Sequence, residues 1–152
     1  HLDPYCRGVF FGLSAMHTKR DLIRAVMEGV TYSLKDCYNI IAGMGIEAEN
    51  MLVCGGGGRS PFWRQMLANV LACPVNTLTN EEGPAYGAAI LSGVGVNMYA
   101  SVQEACNHLI IPETQLIPAQ EAVSKYEKVY SVYSGLYGTL KEEFKKLQDI
   151  QG

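Results

Sequence analysis

Four consecutive glycines, Gly55 to Gly58, follow the apolar run Met51-Leu52-Val53-Cys54 and precede Ser60-Pro61. Glycine has no side chain and tolerates positive φ, so the backbone there can turn sharply and approach a ligand closely. Ser60 has the chemistry of an N-cap and Pro61 suits the first helical position, which predicts a helix beginning at once. The free N–H groups of such a helix start suit anionic oxygens or the polar atoms of a nucleotide. A purely structural turn would need fewer than four glycines. The run Gly55 to Gly58 with the helix start at Ser60 is therefore the candidate ligand-binding element.

The flanking pattern predicts an α/β chain. Residues 1–20 read as loop, with one apolar patch at Val9-Phe10-Phe11. Thr18 to Asp21 resembles a capping box, and after it Ile23, Val26, Met27, Val30, Leu34, Cys37, Tyr38 and Ile41 recur at helical steps. That stripe predicts a long core-packing helix stopped by Gly43 and Gly45, with Arg24 and Glu28 as a surface or interdomain pair. A strand over 51–54, a helix over 61–71 and a strand over 75–78 follow. Asn80 to Pro84 reads as a turn into a helix over 85–94, whose small residues allow close packing against neighbours. Ser101 and Glu104 cap a short helix, and residues 110–120, with Pro112 and Pro118, read as a linker. In the last segment, 121–150, Tyr126, Tyr130, Tyr133, Tyr137, Leu140, Phe144 and Leu147 form a heptad-like stripe. Gly135, Gly138 and the tyrosines favour a terminal helix docked on its own domain over coiled-coil pairing.

Composition narrows the function by exclusion. A net charge of −3 without a basic stripe argues against nucleic acid as a partner. The five cysteines form no CxxC pair and no cluster with histidine, which predicts buried, reduced thiols in a cytoplasmic compartment and no structural zinc. No apolar run is long enough to cross a membrane. His1, His17 and His108 are scattered, and no residue stands out as a general base or metal ligand. Arg59-Ser60 follows the glycines where a Walker loop needs lysine and a hydroxyl residue. The third glycine of a dinucleotide fingerprint is missing too, although Glu81 after the second strand leaves a Rossmann-type reductase as a distant alternative.

Several segments in collinear order resemble the C-terminal portion of the FGGY family of carbohydrate kinases. They are Asp3 to Ser14, His17 to Arg20, Ile23 to Val30, Gly55 to Ala68, Cys73 to Val75 and Glu82 to Ala89. Beyond residue 110 the likeness is confined to tyrosine spacing and a terminal Leu-Tyr-x-x-Leu-Lys pattern. The resemblance implies a ribonuclease-H-like fold of the actin/hexokinase ATPase type. Residues 1–152 would be the later part of the C-terminal, nucleotide-side lobe, with extra helices.

Further implications of the resemblance are ATP and Mg as cofactors, and a sugar bound mainly by an N-terminal lobe absent from this chain. It also leaves room for a homodimer. The aspartate general base would lie in that other lobe, so the chain alone is expected to be inactive. Gly55, Gly56 and Gly57 match the family's adenosine motif. Ser60 falls where relatives often place asparagine, and Gly58 and Arg59 sit at more variable positions. The loop Ser14 to Thr18 matches a segment that approaches the phosphates. The glycine run with Pro61-Phe62-Trp63, and Glu81 to Ala89, favour a branch that phosphorylates a pentulose. Kinases for gluconate, glycerol or another polyol, and a non-enzymatic actin-like interaction domain, remain the alternatives.

Overall fold

In the computed structural model, residues 3–78 and 83–151 are described. Asn80, Glu81 and Glu82 of the expected turn lie outside them. The order is α1 (Lys19–Gly43), β1 (Met51–Val53), a 3₁₀ turn (Gly56–Arg59), α2 (Pro61–Leu71), β2 (Val75–Leu78), α3 (Gly83–Gly95), α4 (Val102–Leu109), β3 (Pro112–Leu116) and α5 (Gln120–Gln151).

The three strands form one sheet in the order β1-β2-β3. β1 and β2 are parallel, with Met51 beside Val75 and Val53 beside Thr77, and α2 makes the crossover between them. β3 runs antiparallel to β2, with Val75 opposite Leu116 and a register shift between Asn76 and Leu78. The segment read from sequence as a linker therefore contains a strand. Four of its five residues, Pro112 to Gln115, are exposed, so it carries no apolar alternation. Pro112 is tolerated because it stands at the strand's first position, where a missing N–H costs the ladder least.

α2 is the middle layer. Leu67 and Ala68 pack with Val75, Met51 and Val53 of the sheet. Met66, Val70 and Trp63 pack with Tyr32 and Met27 of α1 and with Tyr126, Tyr130 and Tyr133 of α5. The Trp63 indole N–H donates to Thr31 Oγ1 at 2.8 Å, and the Thr31 hydroxyl donates to the Met27 carbonyl at 2.8 Å. At the other end of α2 the Lys35 ammonium donates to the Val70 carbonyl at 2.7 Å, although burial pulls its pKa below the ordinary lysine value. Ala72, at φ 54°, closes the helix in the left-handed conformation.

The long helices meet through a polar and aromatic seam. Arg24 pairs with Glu28 at 2.8 Å, and its guanidinium also donates to the Tyr126 hydroxyl at 3.1 Å. The Tyr130 hydroxyl donates to Asp36 and accepts from Asn39. Tyr137 donates to Asp3 at 2.8 Å, tying α5 to the N-terminal segment.

Three expectations need correction. Ile23, Val26, Val30, Leu34 and Ile41 of α1 are exposed, while Thr31 and Tyr32 are its buried residues. α2 and α5 approach α1 on the flank of Met27, Thr31 and Tyr32, so the stripe meets the core through Met27 at its edge while those five residues face outward. Close packing by the small residues of α3 is confined to Gly83, where a Cβ would lie 2.7 Å from Cys54 Sγ, and Gly93, where one would lie 3.4 Å from Tyr99; Ala85, Ala88 and Ala89 are exposed, and a Cβ on Gly87 would meet nothing within 4 Å. The helix instead holds its neighbour through Tyr86, whose hydroxyl donates to the Leu109 carbonyl at 2.6 Å. Of the cysteines, Cys73 is buried, Cys106 is half-buried, and Cys6, Cys37 and Cys54 are exposed. Apolar neighbours in sequence did not mean apolar surroundings, because Cys37 shares the outward side of α1 with Leu34 and Ile41.

Candidate functional site

β1 ends at Val53, and Gly55 turns the chain with φ 81° and ψ −177°, a conformation that side chains other than glycine rarely adopt. The 3₁₀ turn then closes, with Gly58 N–H donating to the Gly55 carbonyl at 3.0 Å and Ser60 N–H to the Gly57 carbonyl at 3.2 Å. The Ser60 hydroxyl accepts from Trp63 N–H at 3.3 Å, so its side chain is the α2 N-cap. Pro61 follows in the first turn.

The four glycines have different physical reasons. A Cβ on Gly57 would lie 2.1 Å from the Trp63 ring, and one on Gly58 would lie 3.0 Å from Val53 Cγ1. Gly55 needs its positive φ but has open space around its missing side chain. Gly56 has neither constraint: φ is ordinary and nothing lies within 4 Å. Close packing inside the protein therefore accounts for Gly57 and Gly58, and backbone conformation for Gly55. The exposed, unobstructed Gly56 has no structural requirement for glycine.

A cleft of about 550 Å³ opens beside this turn, at the carboxyl ends of the parallel strands. Gly55 and Gly58 form one wall, Arg59 and Arg64 another, and Thr77 with Glu113 of β3 the far side. Gly56, Gly57 and Ser60 flank the turn without lining the cleft. The structure thus brings Gly55 to the cleft and places the other three candidates at its shoulder.

Arg64, Thr77 and Glu113 were missed by sequence reasoning. Arg64 could have been suspected from its place four residues after the N-cap, one turn into α2, where its N–H bonds the Ser60 carbonyl at 3.0 Å. Thr77 and Glu113 depend on strand register, and Glu113 sat in the supposed linker.

The loop Ser14 to Thr18 does not line this cleft. Ser14 N–H donates to His17 Nδ1 at 2.9 Å, which leaves Nε2 to carry the proton of the neutral imidazole. Asp21 accepts from the Thr18 backbone N–H and hydroxyl, both at 2.7 Å. Those two bonds hold its carboxyl below the ordinary aspartate value. His17 and Asp21 instead line a second groove of about 750 Å³ between α1, α5 and residues 8–13. No group of three or more metal-ligating side chains occurs among the described residues. Nor is any described helix long and apolar enough to cross a membrane.

Fold and site together define an α/β lobe with a ligand-sized cleft where a parallel strand pair meets a glycine turn. The profile of the FGGY family of carbohydrate kinases, C-terminal domain, matches residues 1–96. The chain belongs to that family. It is 38% identical over 142 residues to a xylulose kinase of Staphylococcus epidermidis, covering 93% of this chain and 29% of that protein. Among solved structures, ligand-bound xylulose kinase from Lactobacillus acidophilus is similar with a TM-score of 0.85 at 25% identity, covering 95% of this chain and 29% of the other. A gluconate kinase from the same organism gives the same TM-score, identity and coverage. The fold is thus of the ribonuclease-H-like, actin/hexokinase type expected from the sequence, and the chain spans 29% of the length of the xylulose kinase relative.

Proposed function

We propose that this chain is the nucleotide-side portion of an ATP-dependent sugar kinase that phosphorylates a pentulose hydroxyl, with D-xylulose the substrate. The observation that carries the reading is the cleft at Gly55 and Gly58, set at the carboxyl ends of parallel strands in a chain of the carbohydrate kinase family. Ligands of open α/β sheets enter at that edge. The 38% identity to a xylulose kinase supports the choice of sugar.

Phosphoryl transfer asks the protein for positioning and electrostatic stabilisation more than for covalent chemistry. The contribution of this chain is to hold the nucleotide. Gly55 and Gly56 let main chain lie against the nucleoside, the former by its turn and the latter by its bare Cα. Gly57 and Ser60 act indirectly, by seating the turn on Trp63 and starting α2. ATP supplies the phosphoryl group. Magnesium would accompany the phosphates. The general base and most of the sugar pocket would be supplied by a lobe outside this chain, which acts in the cytoplasm as part of a larger enzyme.

The test is a coupled assay of the full-length protein with ATP and D-xylulose, gluconate or glycerol. Turnover with D-xylulose well above the others is expected, and the 152-residue chain alone should give none above a blank. The gluconate kinase structure, as similar as the xylulose kinase one, supports gluconate as the second reading. Preference for gluconate would replace the sugar, and turnover by the chain alone would refute the division of labour.

A further inference from the structure

Buried polar atoms almost always find a partner, and each exception calls for an explanation. Among the described residues four buried side-chain atoms lack one: Tyr32 Oη, Arg64 Nε, Asn76 Oδ1 and Thr77 Oγ1. Arg64 and Thr77 both line the glycine-turn cleft. They come from different elements and converge for a topological reason. Arg64 stands one turn into α2, anchored through its N–H on the Ser60 carbonyl. Thr77 pairs in register with Val53, the last residue of β1 before the turn. Parallel pairing puts Val53 and Thr77 on one face, and Val53 packs in the α2–sheet core. The result is that Arg64 and Thr77 line one cleft together with Gly55 and Gly58.

We propose that Arg64 and Thr77 recognise the bound nucleotide directly: their Nε–H and hydroxyl, shielded from solvent in the ligand-free protein, turn into the cleft and donate to acceptor atoms of the ligand. This rests on the nucleotide reading above and adds two side chains to the main-chain contacts proposed there. A guanidinium is always charged and donates in a fixed plane, which suits an anionic or carbonyl-like oxygen. A nucleotide presents acceptors on its phosphates and on its nucleoside, and either would satisfy the pair. A buried donor left unmade costs free energy in the empty protein and is relieved on binding, so the pair favours the occupied state.

The experiment compares Arg64→Met and Thr77→Val in the full-length protein, by calorimetric titration with ADP and with adenosine and by ligand-free thermal unfolding. Arg64→Met keeps an apolar stem without donors, and Thr77→Val keeps the shape without the hydroxyl. ADP affinity should fall about ten- to hundredfold for Arg64→Met and about two- to tenfold for Thr77→Val. The ligand-free melting temperature should hold or rise, an outcome that a merely structural role would not give. An equal loss with adenosine places the contact on the nucleoside, and a loss confined to ADP places it on a phosphate. Unchanged ADP affinity in both variants overturns this inference and leaves nucleotide binding standing. Unmutated protein that fails to bind ADP overturns both.

Discussion

The two ends of the α2 environment are built on opposite principles. Toward the long helices, Trp63, Met66 and Val70 press into Tyr32 and the tyrosines of α5, with ring centroids 5.0 to 6.3 Å from Tyr32. The polar atoms of that seam are largely satisfied: Trp63 on Thr31, Tyr126 on Glu28, Tyr130 on Asp36. Tyr32 is the exception, its hydroxyl buried without a partner and its pKa pushed up first by that burial. Toward the sheet edge, the cleft is open and two of its polar atoms have no partner. Seam and cleft share α2, and Trp63 touches both, since its ring seats Gly57. One region is arranged for a stable empty protein, the other for a ligand.

This contrast fixes what should break each region. Tyr32→Ala removes a side chain only 4% exposed from the centre of the seam and should cost about 3–5 kcal/mol in denaturant unfolding. ADP affinity of the folded protein should be unchanged, and a cost below about 1 kcal/mol would dissolve the contrast.

Two neighbouring glycines give a finer test. Gly57→Ala drives a methyl into the Trp63 ring and should cost about 1–3 kcal/mol of stability. Gly56→Ala meets nothing and should shift stability by about 0.5 kcal/mol at most, while weakening ADP binding through the lost main-chain approach. Equal melting temperatures for the two variants would show that the turn is not seated on Trp63.

The smallest effect is invisible at neutral pH. Burial first, and then the bond to Asp36, push the Tyr130 phenol from 10.0 up to about 12. A raised phenol pKa means that the folded state favours the protonated form, so its contribution to stability is intact below about pH 10. That contribution should fade between 10 and 12 as the unfolded chain ionises first. Tyr130→Phe should flatten the decline of melting temperature over that window. An identical decline in both proteins would remove Tyr130 as its source.

What could be read from sequence was local. The glycine turn, the Ser60 cap, the Thr18–Asp21 start of α1 and the tyrosine spacing of α5 depend on residues within a few positions of one another, where backbone chemistry decides. β3 was hidden because an exposed edge strand, Pro112 to Leu116, has no alternation to betray it. The buried flank of α1 was hidden because its neighbours, rather than its own periodicity, select the face. Arg64, Thr77 and Glu113 meet only through the crossover and the register, information that spacing along the chain does not carry. The same geometry reassigned the glycines, since only the folded Trp63 and Val53 show why Gly57 and Gly58 carry no side chain.

The most direct measurement is a crystal structure of the full-length protein with ADP bound. The nucleotide should lie in the cleft, against the main chain of Gly55 and reaching its shoulder at Gly56, within hydrogen-bonding distance of Arg64 or Thr77. ADP bound elsewhere, with the cleft holding only solvent or the protein's own side chains, would contradict the account.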